Sequence, residues 1–319
     1  MDYFGIGIIV SMIMATILVV IILSSIKSSV YIALRNLIFP KTELNNVKEE
    51  AGFILLHPLF WLLSLSIGLL FIISFIFTIN DLTLVFEWLF FSFIIIIFSS
   101  IIFPLMVWYG NKKYIETLKY VMGGISFGLM CAVFAYFLNT ILNLFLQSLT
   151  GFEIGLLLVF IIAPVIEEVL KVTGIYILAE RKRFNDVYDG IATGFSIGCG
   201  FALLENIFFI ITKIPFFSLE LLLFRVFYNT LAHASFSTFG GIIIGKNKEI
   251  TGKNRFSTYI MAIFVSLLAH MSFNILAMMD VINVELMGAE YYIFSPAIVV
   301  IMVITIIVAL FHKGNKKLE

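Results

Sequence analysis

Apolar runs of about 20 residues or more recur along nearly the whole chain, each long enough to carry a helix across the roughly 30 Å hydrocarbon core of a bilayer. They lie at 4–23, 53–79, 84–108, 118–146, 154–178, 190–212, 219–245, 256–280 and 293–312. Backbone polar groups in lipid must bond within their own helix or within a closed barrel, and these runs are too long for barrel strands. The expected fold class is therefore an all-α polytopic membrane protein with nine transmembrane helices. With 61% hydrophobic and 13% charged residues, the chain carries more apolar surface than a single water-soluble core can bury. Its formal net charge of +0 gives nucleic acid no electrostatic reason to bind.

The linkers alternate in charge. Lys27, Arg35, Lys41 and Lys48 follow the first run, Lys112 and Lys113 the third, Arg181, Lys182 and Arg183 the fifth, and Lys246, Lys248, Lys253 and Arg255 the seventh; Lys313, Lys316 and Lys317 follow the ninth. The intervening connectors carry only Lys213. Because basic residues stay in the cytoplasm, this pattern predicts the N-terminus outside and the C-terminus inside. The first run lacks a basic leader and a small-residue cleavage site, so it reads as an anchor. Cys131 and Cys199 lie inside apolar runs, too far apart for a CxxC motif, and read as packing residues.

Deep ionisable residues divide the chain. Residues 1–150 form a four-helix segment without catalytic motifs, 151–282 a core of four helices that carries them, and 283–319 a ninth helix with a short basic tail. A charge near mid-bilayer costs several kcal/mol, faces the bundle interior and usually has a function. The fifth run holds Glu167, Glu168 and Lys171, the lysine four and three residues after the two carboxylates and able to steady both. Pro164 removes a helical donor just before them and frees a carbonyl upstream, opening the helix where a water or ligand can enter. The sixth run brings Glu205 beside the amide of Asn206, on a helix whose Gly190, Gly194 and Gly198 permit close packing. The seventh places Arg225, Asn229, His233 and Ser237 on one stripe, and the eighth repeats the device with Ser266, His270 and Asn274. His57 and His312 sit near run ends and read as interfacial.

Three neighbouring carboxylates need more than one lysine: a second cation or a shared proton must relieve them. Carboxylate and imidazole suit zinc, with Glu205, His233 and His270 as the candidate ligands. A glutamate acting on water without a metal serves equally well. On the residues alone the site also fits a proton-coupled transporter or channel, although no inverted repeat is visible. The stripe of Arg225 and Asn229 is the candidate water path.

Glu167-Glu168-x-x-Lys171, Phe201-x-x-x-Glu205-Asn206, His233 and His270-x-x-x-Asn274, in this order on four successive runs, resemble the motif series of the PrsW family of intramembrane proteases. That family belongs with the CAAX- and bacteriocin-processing membrane proteases and with a non-proteolytic gamma-secretase subunit, so a non-catalytic scaffold of the same fold is a further reading. Glu205 stands where the CAAX branch has histidine, and this departure speaks against prenyl-protein processing. The resemblance implies hydrolysis of a peptide bond in a membrane-anchored protein, such as an anti-sigma-factor-like regulator, in a bacterial cytoplasmic membrane. It implies that Glu167 activates water, with Glu168 and Lys171 orienting it. Glu205 and His233 would complete a water or metal centre, and His270 and Asn274 would stabilise the oxyanion.

Overall fold

In the computed structural model, the described residues are 92–93, 95–97, 99–104, 107, 118–150, 155–180, 184–213, 222–287 and 294–316. The first two expected spans, most of the third, and the basic residues Lys27 to Lys48, Lys112, Lys113, Arg181 to Arg183 and Lys317 lie outside them, as does His57. Six long helical segments follow in order: α1 (Leu118–Thr150), α2 (155–178), α3 (Val187–Lys213), α4 (224–251), α5 (Phe256–Met287) and α6 (Phe294–Lys316). No strand occurs among the described residues. Three segments are long and apolar enough to cross a membrane unaided: Val121–Ser148, Val187–Thr212 and Phe256–Ile282.

Two of the remaining apolar runs fold as helices with a break in their register. In α2 a π-turn spans Leu158–Ile162 and hands over to regular helix at Ala163–Leu178. In α4 a π-turn spans Phe224–Asn229 ahead of Thr230–Thr251. The first turn falls just before Glu167 and Glu168, and the second, which includes Arg225 and Asn229, just before His233.

The third helix is the axis of the bundle. Within its membrane-length window 83% is buried, against 22% for α5, so α3 is surrounded by protein while α5 presents most of its surface outward. Small residues make this possible. One face of α3 meets α4, where a Cβ on Gly198 would collide with the His233 carbonyl and the Cα of Ala234. The other face meets α1, whose Gly128 touches the backbone of Ile197 and Phe201. Helices in lipid associate largely through such packing, because the bilayer removes the hydrophobic driving force between them. The two cysteines are free and buried, as packing residues should be.

Helix ends are closed by side chains. Asp186 accepts from the N–H groups of Tyr188 and Asp189 at 2.8 and 3.2 Å, while Asp189 accepts from those of Asn185 and Asp186 at 2.6 and 3.2 Å. This reciprocal capping satisfies donors that the start of α3 would otherwise leave bare. Helix α4 stops at Gly252, whose positive φ of 67° lets its N–H reach the Lys248 carbonyl and turns the chain into α5. Asp280 of α5 accepts from the N–H groups of Phe294 and Ser295 and from the Ser295 hydroxyl, so α6 starts against α5.

Because Gly198 packs on the backbone of the histidine-bearing turn, Gly198→Ala should cost about 1–3 kcal/mol by overpacking. Gly155→Ala, where an added Cβ meets nothing within 4 Å, should leave stability unchanged or improve it. Thermal unfolding of the two variants in detergent checks the difference.

Candidate active site

Helices α2, α3, α4 and α5 deliver one charged or imidazole group after another to a common interior point. Lys171 is fully buried and organises it. Its ammonium lies 2.5 Å from Glu168 Oε1, 3.1 Å from His233 Nδ1 and 4.4 Å from the centre of the Phe201 ring. An ammonium only donates, so His233 Nδ1 accepts and the ring proton sits on Nε2. That nitrogen faces Glu205 Oε2 at 2.6 Å. The other oxygen of Glu205 is held at 2.5 Å by Arg225, whose guanidinium lies over the Phe209 ring at 4.3 Å.

His270 is oriented from the opposite side. Its Nδ1 lies 2.8 Å from Glu168 Oε1, and its ring stacks on Phe236 with centroids 4.6 Å apart. A carboxylate on Nδ1 fixes the proton there and leaves Nε2 as the ring's acceptor, the arrangement in which histidines are presented to metals. The His233 and His270 rings meet edge to face at 5.2 Å.

Glu167 is different from its neighbours. Its Oε2 is buried, has no hydrogen-bond partner and stands 4.0 Å from His270 Nδ1. Lys171 pairs with Glu168, three residues away, and forms no ion pair with Glu167 among the described contacts. The expectation that one lysine steadies both carboxylates is therefore met for Glu168 alone. One oxygen of Glu167 and one ring nitrogen each from His233 and His270 lie within 4.8 Å of one another. Ligands about 2.0–2.1 Å from a tetrahedral zinc stand about 3.3 Å apart, so small side-chain rotations separate this set from a metal-binding geometry. Glu167 and His270 Nε2 are ready donors, whereas His233 must first release Lys171 or Glu205. This grouping contains Glu167 where the sequence reading had Glu205.

Four polar residues of the motifs are engaged within the protein. Arg225, expected along a water path with Asn229, closes on Glu205, and Asn229 donates from its amide to Asn206 Oδ1 at 3.0 Å. Asn206, fully buried, donates in turn to the Arg225 carbonyl at 3.1 Å and the Thr230 hydroxyl at 3.0 Å. It is thus a brace across the π-turn of α4. Asn274, expected at an oxyanion, donates to the Val159 carbonyl at 2.9 Å.

Sequence reasoning missed the role of Arg225, yet the signal was present. Three carboxylates with one lysine demanded a second cation, and Arg225 is the only other one deep within the fifth to eighth runs. The aromatic walls Phe201 and Phe236 carried no such signal, since apolar residues abound in every span.

A helical membrane bundle with glutamates, buried histidines and a buried lysine gathered from four helices defines a class: polytopic proteins with a hydrophilic centre inside the bilayer. Over residues 116–309, more than half of its length, the sequence matches the family described as PrsW family intramembrane metalloprotease. The chain belongs to that family. A protease PrsW of Clostridioides difficile is 26% identical over 191 residues, which cover 58% of this chain and 80% of that protein. Its counterpart in Geobacillus kaustophilus is 32% identical over 107 residues, 33% of this chain and 45% of that one. A third, from Halalkalibacterium halodurans, is 31% identical over 116 residues, 36% and 52% of the two chains. The matched segment thus spans about half the length of two of these relatives. No solved structure matches. Apolar helices and bacterial relatives together make this a multi-pass bacterial membrane protein.

The Arg225–Glu205 pair should show thermodynamic coupling, because removing either partner leaves the other charge partly buried. Arg225→Gln and Glu205→Gln should each lower stability, and the double variant should lose less than their sum by about 1–3 kcal/mol. A denaturation cycle on the four proteins measures this.

Proposed function

We propose that the protein hydrolyses a peptide bond in a membrane-anchored protein substrate, with Glu167 as the group that activates water. The observation that carries this reading is the asymmetry among the three glutamates. Glu168 is paired with Lys171 and His270, Glu205 with Arg225 and His233, whereas Glu167 has no described ion-pair contact closer than His270 at 4.0 Å. An uncommitted carboxylate beside two imidazoles is the group able to take a proton from water as it adds to a carbonyl. The amine released when the C–N bond breaks then receives that proton.

The remaining residues hold this one in place. Glu168 orients His270, Lys171 fixes the tautomer of His233, and Arg225 restrains Glu205. The donor set fits a divalent cation at Glu167, His270 and, after it exchanges a partner, His233; zinc is the metal that these ligands favour. Such an ion supplies Lewis-acid polarisation at the reacting carbonyl or water. Supporting the protease reading over a transporter are the family membership and the match to relatives named protease PrsW.

The same proposal extends to topology: nine spans with the N-terminus outside and a basic cytoplasmic tail, the site residues falling between 151 and 282, and 1–150 and 283–319 framing them. The alternating basic linkers support it. Single cysteines placed in the 80–81 connector and in the C-terminal tail should be labelled by an impermeant maleimide from outside and only after lysis, respectively. The reverse pattern overturns the orientation.

Glu167→Gln should lower cleavage of a single-span membrane substrate by about 100-fold or more while the protein unfolds at an unchanged temperature. Persistent cleavage by this variant sinks the assignment. Zinc content of the purified protein, measured by mass spectrometry, should be stoichiometric in the wild type and lost in His270→Ala. An active, metal-free wild type leaves Glu167 acting alone.

A further inference from the structure

One hydrogen bond in the bundle joins a backbone defect to a cavity. In the π-turn of α2 the Ala163 N–H bonds the Leu158 carbonyl. Continued by one residue, this register would pair the Val159 carbonyl with residue 164, which is proline and has no N–H. The Val159 carbonyl is therefore left without a helical donor, and Asn274 of α5 supplies one at 2.9 Å. Both residues line a groove of about 520 Å³ between α2 and α5, with Gly155, Phe160, Ala277 and Met278 around them. Apart from Asn274 this lining offers no polar side chain.

The groove lies along the two helices that carry Glu167 and His270. Asn274 is one turn from His270, about 6 Å along α5, and Phe160 is two turns before Glu167, about 10 Å along α2. Extended chain advances about 3.3 Å per residue, so roughly three residues span the distance from the groove to the uncommitted carboxylate.

We propose that this groove is the docking site for an extended backbone stretch of the substrate, about three residues from the bond that is cut. The proposal rests on the protease reading for the identity of its occupant. The polar pair in the wall selects a peptide over a lipid tail. A primary amide has two N–H groups and a carbonyl, and the Val159 carbonyl has two lone pairs. With one N–H of Asn274 on Val159, the wall still offers a donor from Asn274 and acceptors from both residues. A peptide unit unwound from its own helix needs one donor and one acceptor in lipid, where unsatisfied backbone groups are costly. An acyl chain or a continuous helix has no such need. The apolar floor at Ala277 and Met278 then takes the substrate's side chain. Asn274 is in this view a substrate-positioning residue, and Pro164 acts through it by creating the orphan carbonyl.

The test uses full-length Glu167→Gln protein in lipid nanodiscs, with a photoreactive benzoylphenylalanine replacing Met278 or, as a control, Ile304 on the exposed face of α6. The probes are two lysine-flanked single-span peptides, one of continuous leucine and one with a central Gly-Pro break. The Met278 position should crosslink the broken peptide about fivefold more than the continuous one, the gain expected for one added pair of backbone hydrogen bonds, and Ile304 should not discriminate. Ala277→Phe, added to fill the groove, should remove that preference while leaving the unfolding temperature unchanged. Equal crosslinking of the two peptides at Met278, or adducts to lipid alone, overturns the proposal. Wild-type cleavage of the broken peptide is scored separately. Cleavage without a Met278 preference rejects the groove and keeps the protease, whereas the preference without cleavage rejects the protease and keeps a peptide-binding groove.

Discussion

A single ammonium with no exposure to solvent, that of Lys171, is the constraint around which the bundle is arranged. A buried charge is tolerated only when it is paired and its donors are used, and Lys171 meets this by drawing Glu168 from its own helix and His233 from α4. Each of those contacts propagates. With Glu168 held, its oxygen can orient His270 of α5; with the proton of His233 directed to Nε2, that ring addresses Glu205 of α3. Four helices are thus tied by polar contacts that have nowhere else to go in a bilayer. The rings of Phe201 and Phe236 flank the ammonium at 4.4 and 5.8 Å and keep water from relaxing the arrangement.

Backbone irregularity is the second organising device, and it occurs twice. Non-helical registers at membrane depth survive only where protein satisfies the displaced carbonyls. In α4 the Arg225 carbonyl, which keeps the Thr230 N–H as its donor within the π-turn, also accepts from Asn206, and in α2 the Val159 carbonyl is reached by Asn274. Both asparagines therefore join a π-turn to a neighbouring helix. They differ in access: Asn206 is sealed in the interior, whereas Asn274 stands at a groove. The first brace fixes a geometry, and the second leaves polar capacity where another molecule can use it.

Much of this was legible in the sequence because bilayer physics leaves few choices. The apolar runs at 118–146, 190–212 and 256–280 reappear as α1, α3 and α5 with nearly the same bounds, and the depth rule brought Glu167, Glu168, Glu205, His233 and His270 to one place. What could not be read was partner choice. Spacing allowed Lys171 to reach either glutamate, and only the direction of the helix face relative to α4 and α5 decides for Glu168. Arg225 looked like part of a polar stripe toward the outside because periodicity says which face a residue shares, not which helix that face meets. The π-turns were likewise hidden. Pro164 announces that a carbonyl is freed, but its identity depends on a register that no local pattern encodes.

Adjacent glutamates in a helix point about 100° apart, and this explains how an identical pair acquires two roles. Glu168 shares one oxygen between Lys171 of its own helix and His270 of α5, so that oxygen is committed. Glu167, one residue earlier, forms no ion pair with the ammonium among the described contacts, and its Oε2 lies without a hydrogen bond, 4.0 Å from His270 Nδ1. The two cations of the cluster are both committed elsewhere, to Glu168 and Glu205. The unbalanced charge of three carboxylates against two cations therefore falls on Glu167, and a proton or a metal ion is what balances it there. Glu167 is the carboxylate left without a cation because the fold has committed Lys171 and Arg225 to the other two.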